Sequence, residues 1–78
     1  MTCAPKEITA RRFVKSLVEE GFVLIRIRGS HRRYRHPSGH CVTVSYHNPG
    51  ELFPIGTLKG MIYDAGWKEE DLERLGLL

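Results

Sequence analysis

Apolar residues recur every three or four positions near the start of the chain and again after its midpoint. The first run has the i, i+3, i+4, i+7, i+8 spacing of one helix face: Ala10, Phe13, Val14, Leu17 and Val18. We expect Thr9, or a residue just before it, to cap this helix and Gly21 to end it. The second run predicts a helix that Thr57 caps and Gly66 ends, with one face formed by Leu58, Met61, Ile62 and Ala65.

Between the two helices the pattern changes to short runs that are typical of strands. Residues 22–27 are rich in Val and Ile, and the turn signal Gly29-Ser30 makes residues 31–36 the return strand of a hairpin. A second turn, Pro37-Ser38-Gly39, leads to residues 41–46, where apolar and polar side chains alternate. This alternation predicts a third strand, half-buried against the helices.

The final segment, residues 67–78, predicts a short acidic helix in which Leu72 and Leu75 share a face. The predicted order is therefore helix, three antiparallel strands, helix and a short extra helix. A chain of 78 residues has room for one domain, which we expect to be of the α+β class. In this arrangement the helices cover one face of the sheet and leave the other face for a ligand.

Charge adds a functional expectation to this fold. The chain has a net charge of +3, but residues 1–50 carry nine Lys or Arg against three Asp or Glu, and the rest is acidic. One stretch, residues 26–35, has no acidic residue and five arginines: Arg26, Arg28, Arg32, Arg33 and Arg35. A solvated charged face is the ordinary interpretation of such a run. The planar guanidinium nevertheless suits phosphate oxygens, so we expect this stretch to meet a polyanion.

Other features exclude several classes of protein. Two cysteines, Cys3 and Cys41, form no disulfide framework, which favours reduced thiols and a cytoplasmic location. The start of the chain lacks the pattern of a signal peptide, and no apolar stretch approaches membrane-spanning length. The four histidines and Cys41 lack the paired spacing of zinc frameworks, so we expect no metal and no cofactor.

Histidines and an aromatic residue accompany the arginines. Alternation along the second strand puts His31 and Arg33 on one face and Tyr34 on the other, where core packing is favoured over stacking on a base. His31 either serves chemistry or orders the hairpin turn, and His47 is either a loop histidine or a second functional group. Two further histidines flank the second turn and are expected to be exposed: His36 and His40.

Taken in order, several of these residues resemble the HicA-type toxins, small RNA-cleaving proteins with a fold like that of double-stranded-RNA-binding domains. The resemblance covers about residues 7–66 and leaves residues 67–78 as an extension. The matching residues are Gly21-Phe22, Arg26, Gly29-Ser30-His31, His47, Gly56-Thr57-Leu58, Ile62 and Gly66. The chain differs from many members in having Tyr46 before His47 where proline is common.

The resemblance implies an endoribonuclease that cleaves messenger RNA without a metal and is neutralised by an antitoxin of the HicB type. It also implies that His31 is the catalytic residue. Apart from the resemblance, we keep His47 as a possible second acid or base. RNA carries its own nucleophile, the 2′-hydroxyl, so one histidine and several arginines suffice. We assign phosphate binding to Arg26, Arg28, Ser30, Arg32, Arg33 and Arg35. The alternatives are an RNA-binding module that cuts nothing and a domain whose arginines dock an acidic protein.

Overall fold

The computed structural model describes residues 8–77, which form a three-stranded antiparallel sheet with helices on one face. The strand order β1-β2-β3 follows the chain, as expected for a meander. The predicted α+β order, including the short extra helix, is confirmed. The elements are α1 (Ala10–Glu19), β1 (Val23–Arg28), β2 (His31–Arg35), β3 (Cys41–Ser45), α2 (Ile55–Ala65) and α3 (Glu69–Leu75).

Helix α1 begins where the sequence predicts. The Thr9 side chain accepts a hydrogen bond from the backbone N–H of Arg12 at 3.2 Å. Two further N–H groups of the first turn, which have no partner within the helix, donate to the carbonyls of Pro49 and Glu51 at 2.9 Å. The loop after β3 is therefore fixed against the start of α1.

Helix α2 begins earlier than predicted. Its first residue is Ile55 and its N-cap is Pro54, so the expectation that Thr57 caps this helix is wrong. The physical reason is that Pro54, with φ of −58°, already offers its carbonyl to the N–H of Leu58 at 2.9 Å. The predicted end is confirmed, because Gly66 adopts the left-handed conformation with φ of +74°.

The core lies between the helices and strands β2 and β3. Phe13 of α1 is fully buried and stands edge-on to Phe53, with ring centroids 6.0 Å apart. Trp67 packs on the same ring at 5.6 Å, which brings the segment after α2 into the core. From the sheet, the buried side chains are those of Tyr34, Val42 and Val44. The prediction that Tyr34 belongs to the core is confirmed, and its burial raises the pKa of its phenol.

Strand β1 is not covered in the same way. Its helix-side residues Leu24 and Ile27 are 41% and 59% exposed, whereas Tyr34 beside them on β2 is 4% exposed. An irregularity between Leu24 and Arg26 leaves Ile25 without a partner in β2. The helices thus cover β2 and β3, while β1 forms an open edge of the sheet.

Helix α3 is held against α1 by arginines. Arg74 donates both guanidinium nitrogens to the carboxylate of Glu20, each at 2.7 Å, and also contacts Asp71 at 3.1 Å. The hydrogen bonds from Arg74 hold the pKa of Glu20 below its usual value. The pKa of Asp71 is also lowered, first by the hydrogen bond from the backbone N–H of Lys68 and second by the one from Arg74. The predicted inward pair of α3 is confirmed, since Leu72 and Leu75 are buried.

Candidate functional site

The hairpin between β1 and β2 brings the basic side chains to one face. Gly29 has φ of +60°, a conformation that suits the first position of a two-residue turn. The strands then pair with Arg28 opposite His31 and Arg26 opposite Arg33. Residues that face each other across a strand pair point to the same side of the sheet. All four side chains therefore lie on the face away from the helices, which we call the open face.

Strand β3 completes this face with small hydroxyl side chains. Thr43 pairs with Arg33, and Ser45 pairs with His31. The Ser45 hydroxyl lies 3.4 Å from that of Ser30, and the Ser30 carbonyl accepts a hydrogen bond from Tyr46 N–H at 3.2 Å. The hydrogen bonds of Ser30 thus fix the turn to β3, beside His31.

A shallow cavity of about 180 Å³ lies at the centre of the open face. It is lined by Arg26, Arg28, His31, Arg33 and Thr43. Within residues 8–77, the cations of the ion pairs are Arg12 and Arg74, so the arginines of β1 and β2 have no carboxylate partner there. The lining therefore combines three positively charged side chains with one imidazole, a composition that suits a phosphate group.

Two of the predicted phosphate-binding arginines lie elsewhere. Arg32 belongs to the helix side of β2, where its guanidinium carbon lies 4.3 Å from the centre of the Tyr46 ring. Arg35 is on the open face but pairs with Val23 and Cys41 at the far end of β2, outside the cavity. The structure therefore separates Arg32 and Arg35 from His31. Ser30 precedes His31 in the chain, and its hydroxyl contacts that of Ser45, the residue that pairs with His31 on β3.

His47 follows β3 but does not line the cavity. It lies two residues beyond Ser45, and its backbone N–H donates to the carboxylate of Glu51 at 3.2 Å. Its side chain is exposed. The sequence hypothesis of a second acid or base at this position stays a prediction.

The expectation that His36 is solvent-exposed is wrong. Its ring is half-buried against Phe22, with centroids 5.0 Å apart, and its Nε2 lies 3.0 Å from the carbonyl oxygen of Glu20. The Ser38 hydroxyl lies within 2.8 Å of His36 Nδ1 and 2.7 Å of His40 Nδ1. The exposed His40 confirms the other half of the expectation. These contacts join the β2–β3 turn to the end of α1.

Thr43 is a cavity residue that sequence reasoning did not single out. The signal was present, because alternation along β3 buries Val42 and Val44 and so turns Thr43 to the opposite face. The two-residue turn would likewise have predicted that Arg28 lies opposite His31.

Neither a metal-binding cluster nor a membrane-spanning helix is found among residues 8–77. Among residues 8–77, no three His, Cys, Asp or Glu side chains come close enough together to hold a metal ion. None of the helices in this part of the chain combines the length and hydrophobicity that crossing a bilayer requires.

Comparison with known proteins gives the family. A search among curated proteins found no match for the chain. The profile of one family, described as HicA toxin of bacterial toxin-antitoxin, matches residues 10–67. This region holds the sheet, α1 and α2, together with the five residues that line the cavity. The chain therefore belongs to the HicA toxin family of bacterial toxin–antitoxin systems.

Proposed function

We propose that this chain is an endoribonuclease that cleaves messenger RNA and acts as the toxin of its toxin–antitoxin pair. The observation that carries the proposal is the cavity on the open face, where the His31 imidazole stands among three arginines. A histidine exchanges protons near neutral pH, and guanidinium groups stabilise the charge that develops on a phosphate. Both functions needed for RNA cleavage are therefore available in one small site.

The proposed reaction uses the 2′-hydroxyl of the RNA as its nucleophile. His31 removes the proton from this hydroxyl, and the oxygen forms a bond to the adjacent phosphorus. The bond between phosphorus and the 5′-oxygen of the next nucleotide breaks, and that oxygen takes a proton from a second acid, with His47 the candidate. The products are a 2′,3′-cyclic phosphate and a 5′-hydroxyl. No metal ion is needed to activate water in this scheme.

Arg26, Arg28 and Arg33 hold the phosphate in the proposed complex. Their side chains come from two paired strands and surround His31 on the open face. A phosphate placed among them would gain charge-assisted hydrogen bonds without displacing a carboxylate partner from residues 8–77. Strand pairing also keeps the three guanidiniums close to the imidazole before substrate arrives.

The local contacts favour chemistry over a purely structural role for His31. The turn before it depends on the positive φ of Gly29 and on the hydrogen bonds of Ser30. The His31 side chain is exposed on β2 and lines the cavity. Its replacement should therefore remove activity and leave the hairpin folded.

Family membership supports the rest of the proposal. A toxin of a toxin–antitoxin pair has a neutralising partner, which we infer to be a HicB-type antitoxin. Because messenger RNA is the proposed substrate, the cytoplasm is the proposed location. The same open face would serve an RNA-binding module that cuts nothing, and a cleavage assay separates the two functions.

The test compares the wild type, His31→Ala and the control variant His40→Ala, which removes an exposed histidine outside the cavity. We expect the wild type and His40→Ala to arrest growth and degrade messenger RNA. In assays with purified protein, we expect His31→Ala to cleave RNA about 100-fold or more slowly than the wild type. Circular dichroism must show all three folded. Cleavage should persist in EDTA and stop on RNA with a single 2′-deoxy residue at the cut.

Three results would contradict the proposal. The first is binding of RNA by the wild type without cleavage, which would indicate the binding module. The second is full activity of folded His31→Ala. The third is cleavage of the 2′-deoxy substrate, which would exclude attack by the 2′-hydroxyl.

A further inference from the structure

Strands β1 and β3 are the two edges of the sheet, and β1 differs from β3 in being exposed on both faces. All six of its residues, Val23–Arg28, are exposed. It pairs only with β2, so the backbone groups along its other side have no strand partner within residues 8–77. We call this unpaired side, with its side chains, the β1 edge.

The side chains of the β1 edge are unusually apolar for an exposed strand. Leu24 and Ile27 face the helix side but are about half exposed, and Ile25 is exposed at the irregularity between β1 and β2. Val23 is exposed at the start of the strand. Contiguous exposed apolar side chains mark interaction surfaces, and an unpaired strand edge can add the strand of a partner.

Charge on the open face of β1 indicates which partner fits. Arg26 and Arg28 project there, so a strand beside them gains from acidic side chains on this face and from apolar side chains on the other. A second copy of this chain fits poorly, because antiparallel pairing of two β1 strands would gather four arginines on one face. The irregularity at Ile25 is a further feature that discourages pairing between copies.

We propose that the β1 edge binds a β-strand of the antitoxin in which acidic and apolar side chains alternate. This inference rests on the proposed function, because it names the surface through which that toxin would be neutralised. The acidic side chains would meet Arg26 and Arg28, two of the residues that line the cavity with His31. Strand pairing therefore neutralises the phosphate site directly: the carboxylates occupy the guanidiniums that the RNA phosphate requires.

The first test uses Ile27→Lys, which places a charge on the apolar side of the β1 edge and leaves the cavity residues unchanged. The matched control is Tyr63→Lys, at an apolar residue of α2 that is 84% exposed. The purified antitoxin of the pair is the probe. We expect Ile27→Lys to weaken binding by about tenfold or more, and Tyr63→Lys to change it by less than about twofold.

The second test measures hydrogen exchange of the backbone amides. A contact through side chains alone would not protect these amides from exchange. Hydrogen exchange is compared for the free toxin and its complex with the antitoxin. We expect new protection of those β1 amides that point away from β2. Cells expressing Ile27→Lys should remain growth-arrested when the antitoxin is supplied, whereas cells expressing Tyr63→Lys should recover.

The inference is overturned if Ile27→Lys binds the antitoxin as tightly as the wild type, or if the β1 amides gain no protection in the complex. It is also overturned if the free toxin forms a dimer that Ile27→Lys disrupts, because a second copy would then occupy the edge. The binding, exchange and dimer measurements do not depend on RNA cleavage, whereas the growth test does. A toxin that fails to cut RNA would refute the proposed function, while binding and exchange would still decide the role of the β1 edge.

Discussion

Arg28 and His31 are partners across the β1–β2 pair, and both side chains line the same cavity. Only Gly29 and Ser30 separate them in the chain, so the two-residue turn determines that they share a face. A register slip of one residue between β1 and β2 would move one of the two side chains to the helix side of the sheet. The turn is therefore part of the site. Gly29 contributes to it through its positive φ, which allows the turn that pairs Arg28 with His31.

The position of each arginine, and not its charge alone, should determine its effect on RNA cleavage. Arg26 lines the cavity, whereas Arg35 lies on the same face outside it. We expect Arg26→Gln to lower kcat/KM by about 100-fold, because it removes a donor to the phosphate in the transition state. Arg35→Gln, the matched control, should lower it by less than about threefold. Cleavage rates at about 0.1 M salt provide the measurement, and equal losses in both variants would indicate general attraction of RNA instead.

The sequence predicted the elements of the fold well because their signals are local. The apolar residues of α1 are only three or four positions apart, and so are Leu72 and Leu75, which face inward from α3. Strand alternation likewise predicts that Tyr34 lies in the core, on the face of the sheet away from His31. Periodicity of this kind needs no knowledge of distant contacts.

The site was less predictable because parts of it depend on register and on contacts between distant residues. Charge alone groups Arg32 with the other arginines, although alternation places it on the side of Tyr34. The irregularity at Ile25 has no clear signal in the sequence, yet it leaves Leu24 on the helix side of β1. The burial of His36 depends on Phe22 and Glu20, residues that β1 and β2 separate from it in the chain.

Two glycines of the α2 region should respond to alanine in opposite directions. Gly66 has φ of +74°, and a Cβ built there would lie 2.5 Å from His40 Nε2. We expect Gly66→Ala to reduce the free energy of unfolding by about 1–2 kcal/mol, since left-handed backbone and contact with the ring both oppose it.

Gly60 provides the control for this prediction. It lies inside α2, and a Cβ there would meet nothing within 4 Å. Gly60→Ala should therefore raise the free energy of unfolding by about 0.5–1 kcal/mol. Urea denaturation of both variants measures the difference, and destabilisation of similar size in both would contradict the prediction.

The attachment of α3 to α1 should weaken in acid. Arg74 lowers the pKa of Glu20 from its ordinary value of 4.5, and the N–H of Lys68 together with Arg74 lowers that of Asp71 from 3.8. Because the folded pKa values are depressed, these contacts contribute their full stability above about pH 5 and lose it as pH falls through those values. We therefore expect Arg74→Gln to be less stable than the wild type at pH 7. The difference in the free energy of unfolding should be small, because the pair is partly exposed. This difference should decrease towards pH 3. Urea unfolding at both pH values is the measurement, with Arg11→Gln as a charge-matched control. A gap that stays constant with pH would show that Arg74 acts through packing and not through these carboxylates.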